Sequence, residues 1–399
     1  MIKQVFIDCM PGPTYHFGGH AFGNRLSMQS KGKKVNPKQA ALEWLNKVTY
    51  IYNIGAIQLV LPPHPKPHQI NKNLTKADLS CGFIWMANAG HFIPKVDTKS
   101  NTNHFIPSNM EKTVHRKNEH YFNRFWLKKI CPSTQIHPPC LHPDEGAANT
   151  IRLWSDNSKS TITIFIYGGK TKRYPSRQSK KSIHEIIKKT NIINISALKQ
   201  KANSIDQGVF HNDLISFGFK NKLFCHENAF ENQKKQLRII KKQFHNLTND
   251  VLDIIEIKSS EISIKNTIMS YLFNSQAILI NDKVHLLCPY EAKENIESYK
   301  LIRQWETQKH IDKAHFIELK SSLMNGGGPA CLRLTLYLNN NELNQIPKQF
   351  LLNEKKIKDL KKIIIKHYPE KEIAITNKHK LNEVRKLNKY LNNLFLNTI

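Results

Sequence analysis

A cysteine near the end of the chain follows a loop of three glycines and precedes a strand pattern. In the run NGGGPACLRLTLYL, at residues 325–338, Cys331 stands three positions after the last glycine. Glycine has no Cβ, so this backbone can come close to a ligand. The leucines after the cysteine alternate with polar residues, which predicts a strand with one buried face. A thiolate at the start of such a strand can act as a nucleophile, and Cys331 is our candidate for that role.

A reactive cysteine needs partners, because a buried thiol more often packs as a small hydrophobic side chain. His211 lies in DQGVFHNDLISFG, two residues before Asp213, and the two would share a face if this segment were extended. Imidazole titrates near neutral pH and suits proton transfer.

A zinc site is an alternative use of cysteine and histidine in this chain. Cys131, His137, Cys140 and His142 follow one another closely, and an extended segment could aim Cys140 and His142 to the same side. The spacing is irregular and lacks the usual CxxC half of a structural zinc site. We therefore expect no metal here.

The composition is strongly basic, with 60 Lys and Arg against 31 Asp and Glu and a formal net charge of +29. Such a charge attracts nucleic acids, anionic membranes or small anionic substrates. The basic runs, at residues 170–177, 355–366 and 378–389, are not interleaved with the aromatic residues of a stacking platform. A nucleic-acid-binding protein is therefore the less favoured reading of the charge.

No targeting or membrane segment is visible in the sequence. The apolar run at residues 5–7 is far shorter than a secretory core, and no stretch approaches the roughly 18 apolar residues of a membrane span. The seven cysteines are scattered and odd in number, which argues against a disulfide framework. These features predict a cytoplasmic protein.

Strand and helix patterns alternate along the chain, which predicts the α/β class. Asn36 and Pro37 form an N-cap and first-turn pair, with an apolar helical stripe to about residue 52. The proline-rich segment 62–74 predicts an exposed loop rather than a linker. No composition shift or repeat is visible, so we expect one domain over residues 1–399. The other elements that we predict are strands at 5–7, 56–61 and 161–167 and helices at 179–189, at 228–244 and in the last 45 residues.

Short runs in a fixed order over nearly the whole chain resemble the N-succinylarginine dihydrolase family. The runs are GPT and FGN near the start, MANA, HR at 115, DEGAAN, RYPSRQ, DQGVFHND, YLFNSQ and NGGGPACLRL. The resemblance implies a pentein fold, a fivefold pseudosymmetric α/β propeller. It also implies hydrolysis of N2-succinyl-L-arginine to N2-succinyl-L-ornithine, two ammonia and CO₂ through a covalent cysteine intermediate, in arginine catabolism.

The family pattern also assigns roles to residues of this chain. Its nucleophile, histidine and glutamate correspond to Cys331, His211 and Glu145. In that role Glu145 could orient the histidine or, like Asp213, hold the guanidinium cation. Matching substrate-binding positions are Gly19, Phe22, Gly23, Asn24, Ser27, Asn88, His115, Arg116, Arg177, Asp213 and Asn325. The resemblance implies a small-molecule substrate, a homodimer and no cofactor. Another guanidine-modifying pentein, a deiminase or an amidinotransferase, is the alternative.

The chain departs from the family pattern in four places. The first loop has His20 and Ala21 where the family usually has a larger apolar residue and serine. The run MEKTV before His115 replaces an asparagine-rich sequence. The chain is also shorter around residues 65–81 and before Arg173, where we expect trimmed surface loops.

Overall fold

The computed structural model describes residues 2–19, 21–79, 85–158 and 160–396. His20 and Cys81 therefore lie outside the described residues. The strands are β1 Ile2–Cys9, β2 Ile57–Leu61, β3 Gly90–Ile93, β4 His104–Pro107, β5 Gln135–Ile136, β6 Thr150–Trp154, β7 Thr161–Tyr167, β8 Ile195–Lys199, β9 Ser216–Phe219, β10 Lys222–His226, β11 Asp253–Ile257, β12 Gln276–Ile280, β13 Lys283–Pro289, β14 Lys313–Ile317 and β15 Arg333–Asn339.

Helices connect these strands. The α-helices are α1 Arg25–Ser30, α2 Pro37–Asn53, α3 Glu119–Ile130, α4 Lys180–Thr190, α5 Ala202–Asp206, α6 Gln233–Thr248, α7 Ile264–Ser270, α8 Tyr290–Glu294, α9 Ile296–Thr307, α10 Lys320–Met324, α11 Asn340–Asn344, α12 Glu354–His367 and α13 Lys378–Leu396. Short 3-10 helices cover Lys76–Leu79, Met86–Asn88, Lys95–Asp97, Val114–Arg116, Gly146–Asn149, Asn212–Leu214, Leu272–Asn274 and Lys348–Phe350. None of the helices within the described ranges is long and apolar enough to span a membrane.

One strand arrangement recurs in five three-stranded sheets within the described ranges. In each sheet the central strand pairs antiparallel with one neighbour and parallel with the other. A parallel pair needs a crossover, and here a helix always intervenes in sequence between the central strand and its parallel partner. The sheet orders are β15-β1-β2, β3-β4-β5, β6-β7-β8, β9-β10-β11 and β12-β13-β14. This fivefold ββαβ repeat confirms the predicted α/β class and its five modules.

The first sheet is completed by the last strand of the chain. β15 pairs antiparallel with β1, so that Ile7 lies opposite Leu334 and Asp8 opposite Arg333. Leu334, Leu336 and Leu338 are buried and the residues between them are half-buried, which confirms the predicted alternation. Cys331 lies in the turn just before this strand. The strand thus fixes the chain on one side of the candidate nucleophile.

The chain divides into two compact units. The first contains Met1–Ala87, Thr113–Pro132 and Glu318–Ile399, and the second contains Asn88–Lys112 and Ser133–Ile317. The first unit holds the sheet of β1, β2 and β15, and the second holds the other four sheets. A single functional domain over the whole chain stays a prediction.

Aromatic residues anchor the core of each unit. In the second unit the rings of Phe217 and Phe224 stack at 4.6 Å, and Trp305 packs edge-on against Phe224 at 4.8 Å. In the first unit Trp126 of α3 packs edge-on against Phe350 at 5.8 Å. Such ring pairs bury large apolar areas and hold the sheets and helices in place.

Several predicted elements are confirmed. β7 covers residues 161–167 as predicted, and α2 begins after Asn36, whose side chain accepts a hydrogen bond from Gln39 N at 3.0 Å. The helix predicted from residue 228 begins at Gln233 instead. The preceding residues form turns in which Phe230 N donates to Gln233 Oε1, so they are not available to the helix.

The proline-rich segment 62–74 is irregular, but the prediction that it is exposed is wrong for its first half. Pro62, Pro63, His64, Lys66 and Pro67 are buried. The carbonyl of Lys66 accepts a hydrogen bond from an α13 amide at 3.0 Å, and the His64 ring lies 4.5 Å from an α3 aromatic ring. Contacts with α3 and α13 therefore bury a proline-rich segment that its composition predicts to be exposed.

Candidate active site

A buried glutamate joins two of the predicted site residues in the second unit. Glu145 Oε2 accepts a hydrogen bond from His211 Nε2 at 2.6 Å and forms an ion pair with Arg177 Nη1 at 3.0 Å. Each of the three side chains is at most 5% exposed. Three positions far apart in sequence thus form one hydrogen-bonded cluster.

The surroundings keep Glu145 ionised. Burial alone would raise its pKa, but the charge of Arg177 and the hydrogen bond and charge of His211 outweigh burial and lower the pKa to about 2. Arg177 is further held by the ring of Phe210, whose centroid lies 4.9 Å from the guanidinium carbon. A carboxylate in this state can fix the orientation of a histidine and stabilise its protonated form.

The bond to Glu145 determines which nitrogen of His211 is left for proton transfer. An ionised carboxylate only accepts hydrogen bonds, so Nε2 carries a proton and donates it. Nδ1 is buried and has no hydrogen-bond partner among the described residues. A buried ring nitrogen without a protein partner is suited to exchange a proton with a bound reactant.

Two more predicted residues lie close to this cluster in sequence or in space. Asn88 Nδ2 donates to the backbone carbonyl of Glu145 at 2.7 Å. Asp213 is half-buried and lies in the 3-10 helix that begins at Asn212. The extended segment that would place His211 and Asp213 on one face is not formed, because the chain turns into this helix directly after His211.

The nucleophile loop of the first unit is fixed by its backbone. Cys331 is 3% exposed, its N–H donates to Gly328 O at 3.1 Å, and its carbonyl accepts from Ala87 N at 3.1 Å. Asn325, at the start of the loop, donates through Nδ2 to His16 O at 3.1 Å. The thiol thus stands on a loop that is held at both ends.

Two glycines of this loop are required by close neighbours. Gly326 has a φ of +86°, and a Cβ there would lie 1.8 Å from Asn24 Nδ2. A Cβ on Gly327 would lie 1.7 Å from Trp85 Nε1. Trp85 in turn lies beneath the guanidinium of Arg116, at 5.1 Å from its ring centroid. The glycines therefore allow two side chains to pack directly on the loop backbone.

Asn24 connects the first predicted binding loop with the nucleophile loop. Its Nδ2 donates to Gly326 O at 2.9 Å, and its Oδ1 accepts from Ser27 N at 3.2 Å as the N-cap of α1. Gly23 precedes it, and Phe22 is 53% exposed. Gly19 has a φ of +63°, where L side chains are strained. The predicted residues of this loop thus combine one structural amide with one exposed aromatic ring.

His115 and Arg116 lie in the 3-10 helix before α3. The guanidinium of Arg116 donates to Glu119 Oε2 from Nε at 2.8 Å and from Nη2 at 2.7 Å. The side chains of Arg116 and Glu119 are both buried. An arginine anchored in this way presents its guanidinium in a fixed orientation.

Sequence reasoning missed a buried ion pair next to the nucleophile strand. Lys47 Nζ and Asp8 Oδ2 are 2.5 Å apart, and both side chains are 0% exposed. Burial lowers the pKa of Lys47 below its usual value, although the charge of Asp8 and the hydrogen bond to it act in the opposite direction. The pairing of Asp8 with Arg333 across β1 and β15 could not be inferred without the strand register.

The cysteines and histidines of the zinc alternative have other contacts. His137 Nε2 lies 2.8 Å from His104 Nδ1, and Cys140 Sγ lies 3.8 Å from Ser182 O. Among the residues whose positions are described, no three His, Cys, Asp or Glu side chains are placed to hold a metal ion. These contacts give the zinc alternative no support.

Comparisons with solved structures show the fold. The N-terminal domain of ArgZ, a cyanobacterial arginine dihydrolase, solved with a covalently bound reaction intermediate, matches with a TM-score of 0.57 at 16% identity. The match covers 83% of this chain and 97% of that domain. The five ββαβ modules place the chain in the pentein fold class.

Comparisons of sequence give the family. The model of the succinylarginine dihydrolase family matches residues 2–71 and 68–397. The N-succinylarginine dihydrolase of Legionella pneumophila (strain Paris) is 33% identical over 410 residues, 92% of this chain and 90% of that protein. The one from Marinobacter nauticus is 32% identical over 430 residues, 97% and 96% of the two chains. The chain belongs to the succinylarginine dihydrolase family.

Proposed function

We propose that the protein hydrolyses N2-succinyl-L-arginine to N2-succinyl-L-ornithine, two ammonia and CO₂ in arginine catabolism. The observation that carries the proposal is the buried Glu145 carboxylate, which is bound at the same oxygen by His211 and Arg177. Family membership supports the choice of substrate. The catalytic residues are Cys331, His211 and Glu145.

A guanidinium is a poor electrophile because its charge is delocalised, so a strong nucleophile and a fixed orientation are needed. The Cys331 thiolate supplies the nucleophile. His211 exchanges protons through Nδ1, and Glu145 holds the ring at Nε2. This assignment requires all three groups to act on one substrate molecule.

In the first half of the reaction, the sulfur of Cys331 forms a bond to the guanidinium carbon, and the C=N electron pair moves to nitrogen. The bond from that carbon to one terminal nitrogen then breaks, and ammonia leaves with a proton from His211. Water adds to the same carbon and gives one of its protons to His211. The C–S bond breaks, which restores the thiolate, and the added hydroxyl releases its remaining proton to leave a ureido group.

A second round on the ureido group removes the other terminal nitrogen as ammonia. The resulting carbamate loses CO₂ and leaves the primary amine of N2-succinyl-L-ornithine. The complete reaction consumes two water molecules for each substrate molecule. Every step uses side chains of the protein, so the scheme employs no metal or organic cofactor.

Charge pairing explains how the substrate is recognised. Asp213 is suited to hold the guanidinium, and Arg116 and Arg177 are suited to bind the two carboxylates. Arg177 uses Nη1 for Glu145, but a guanidinium has five N–H donors and can also bind an anion. The remaining binding residues of the proposal are Gly19, Phe22, Gly23, Asn24, Ser27, Asn88, His115 and Asn325.

The arginines can be assigned by kinetics on two substrates. If Arg116 or Arg177 binds the succinyl carboxylate, its replacement by alanine lowers kcat/KM for succinylarginine by a factor that corresponds to about 2 to 5 kcal/mol. The same replacement should lower kcat/KM for free arginine less. Equal losses on both compounds would show that the arginine does not bind the succinyl group. A parent protein that prefers free arginine would overturn the choice of substrate.

We also propose that the whole chain acts as one catalytic domain, in a cytoplasmic homodimer. The family resemblance supports this proposal, and the family model matches residues 2–71 and 68–397. Light scattering at the concentrations of the activity assay tests the dimer. A monomeric mass with full activity would contradict it.

Product analysis tests the reaction. The purified protein with succinylarginine should release two ammonia per succinylornithine formed, and Cys331→Ala should lose turnover while keeping its circular dichroism spectrum. Cys140→Ala is the control, because Cys140 is equally buried and lies outside the proposed site. Activity of Cys331→Ala within about tenfold of the parent, roughly 1.4 kcal/mol, would exclude it as the nucleophile. One ammonia and a stable succinylcitrulline would indicate a deiminase.

A further inference from the structure

A second carboxylate–histidine pair lies beside Glu145 in the second unit. His91 of β3 has its Nε2 2.8 Å from Asp144 Oδ1, and the two side chains are at most 1% exposed. The other ring nitrogen, Nδ1, lies 3.1 Å from Thr150 Oγ1. Both nitrogens of His91 are therefore engaged, one at each end of the segment 144–150.

The segment 144–150 is short and is fixed at its first residues. Asp144 Oδ1 accepts a second hydrogen bond, from Gly146 N at 3.1 Å, which closes a tight turn around Glu145. Gly146 has a φ of +77°, where L side chains are strained. Gln178 Oε1 accepts from Glu145 N at 3.2 Å. The backbone of Glu145 is thus held by groups that do not take part in its carboxylate contacts.

The same segment also holds the histidine side of the catalytic pair. Asn149 Oδ1 accepts a hydrogen bond from Asn212 N at 3.1 Å. Asn212 follows His211 directly, so this bond fixes the backbone next to the imidazole. Glu145 lies near the start of segment 144–150, and the group that holds His211 lies near its end.

We propose that His91 is a positioning residue for the reaction: it clamps both ends of segment 144–150, and this segment sets the distance between Glu145 and His211. The inference rests on the proposed function, because it assigns His91 a role in proton transfer by His211. The Glu145–His211 bond of 2.6 Å tolerates little displacement. A shift of about 1 Å in a catalytic group can cost on the order of 10²-fold in rate.

Two amide replacements separate the contacts of His91. In His91→Gln the side-chain amide reaches the place of Nε2 and keeps the bond to Asp144. In His91→Asn the amide reaches only the place of Nδ1, so the bond to Asp144 is lost. We expect kcat to fall about 10- to 100-fold in His91→Asn, which releases the end of the segment next to Glu145, and less than about fivefold in His91→Gln, which releases only the Thr150 end, with KM within about threefold in both.

His226 provides a matched control in the same unit. It is 0% exposed, and both of its ring nitrogens are bonded, Nε2 to Ile262 O at 3.0 Å and Nδ1 to Asn228 N at 3.1 Å. His226→Asn and His226→Gln should lower the urea midpoint as the His91 variants do. If His91 contributed only to stability, the two His91 variants, like the two His226 variants, would leave kcat of the folded protein unchanged.

Hydrogen exchange followed by mass spectrometry gives a readout that does not need activity. In His91→Asn the peptides that carry the Gly146 and Asn212 amides should exchange at least about tenfold faster than in the parent, and in His226→Asn they should not. Unchanged exchange in His91→Asn would overturn the clamp. Faster exchange with a parental kcat would show that the clamp does not position the catalytic pair, and would also overturn the proposal.

The failure of this inference differs from the failure of the proposed function. A parent protein that releases no ammonia from succinylarginine overturns both the proposed reaction and the positioning role. An active parent whose His91→Asn variant keeps the parental kcat overturns the positioning role alone.

Discussion

Replacing Glu145 by glutamine should remove most of the acid sensitivity that this carboxylate gives to the fold. Burial alone would raise its pKa, but Arg177 and His211 lower it from 4.5 to about 2. A carboxylate with a lower pKa in the folded than in the unfolded protein stabilises the fold above the unfolded value. That contribution is lost as the pH falls through the folded value.

The size of the contribution follows from the shift. A difference of about 2.5 pKa units corresponds to about 3 kcal/mol, complete above about pH 5 and lost by about pH 2. Between pH 5 and pH 3 the parent should therefore lose about 2 kcal/mol more than Glu145→Gln. At pH 7 the variant should itself be less stable by about 3 to 5 kcal/mol, because the charge of Arg177 stays buried without its partner.

Urea unfolding at pH 7, 5, 4 and 3 measures these free energies, and ammonia release measures activity at pH 7. Leu153→Ala is the control, because Leu153 is fully buried in β6 of the same unit and does not titrate. It should lower the free energy of unfolding at every pH and keep the slope of the parent. Equal losses between pH 5 and pH 3 in the parent and Glu145→Gln would refute the idea that Arg177 and His211 hold the carboxylate ionised.

Three further predictions concern Gly326, Lys47 and Asp213, with Gly32 as a reference for Gly326. Gly32→Ala, at a φ of +75° with open space around it, should cost about 1 to 2 kcal/mol in urea unfolding. Gly326→Ala should cost roughly 1 to 3 kcal/mol more, because its Cβ meets an amide at 1.8 Å; equal costs would contradict the clash. Lys47→Met should destabilise by about 3 to 5 kcal/mol by leaving Asp8 buried without its partner, and adding Asp8→Leu should restore most of that; no recovery would refute the pairing. Asp213→Asn should raise KM for succinylarginine at least about tenfold in initial-rate assays, and an unchanged KM would remove its role in holding the guanidinium.

Local elements were predictable where the sequence carries its own signal. Asn36 and Pro37 predict the start of α2, since the amide cap accepts a hydrogen bond from a first-turn N–H and a first-turn proline has no N–H that needs a partner. The alternating leucines predict β15, because one face of that strand is buried. Residue type and spacing alone indicate Cys331, His211 and Asp213 as candidates, whereas the other candidate site residues are named only as matches to a family pattern. Whether Arg177 and His211 share one oxygen of Glu145 depends on the fold.

Contacts between distant segments account for what the sequence did not predict. His91 stands two positions after the run MANA, and Asp144 lies in DEGAAN, yet nothing local indicates that they pair. Lys47 lies on an amphipathic helix, where a lysine usually points to solvent. It can be buried because its ammonium group forms an ion pair with the carboxylate of Asp8, on the central strand of the neighbouring sheet.

The fivefold repeat could not be recognised in the sequence, because the central strands are unequally spaced along the chain. β7, β10 and β13 begin at residues 161, 222 and 283 and are equally spaced, whereas β1 and β4 begin at 2 and 104. The unequal connection hides the period in the early part of the chain. Side chains also differ between modules, because each module needs only apolar residues on its buried faces.

One pair of side chains does recur at matching positions of two modules. His104 Nδ1 lies 2.8 Å from His137 Nε2, and His285 Nδ1 lies 2.8 Å from His315 Nε2, with ring centroids 5.1 Å apart in both pairs. In each module the second histidine stands two residues beyond the ladder partner of the first. Two neutral imidazoles can share one proton in this geometry, since one nitrogen donates and the other accepts. The repeat is therefore carried by strand register, which a search for similar residues at a fixed spacing does not detect.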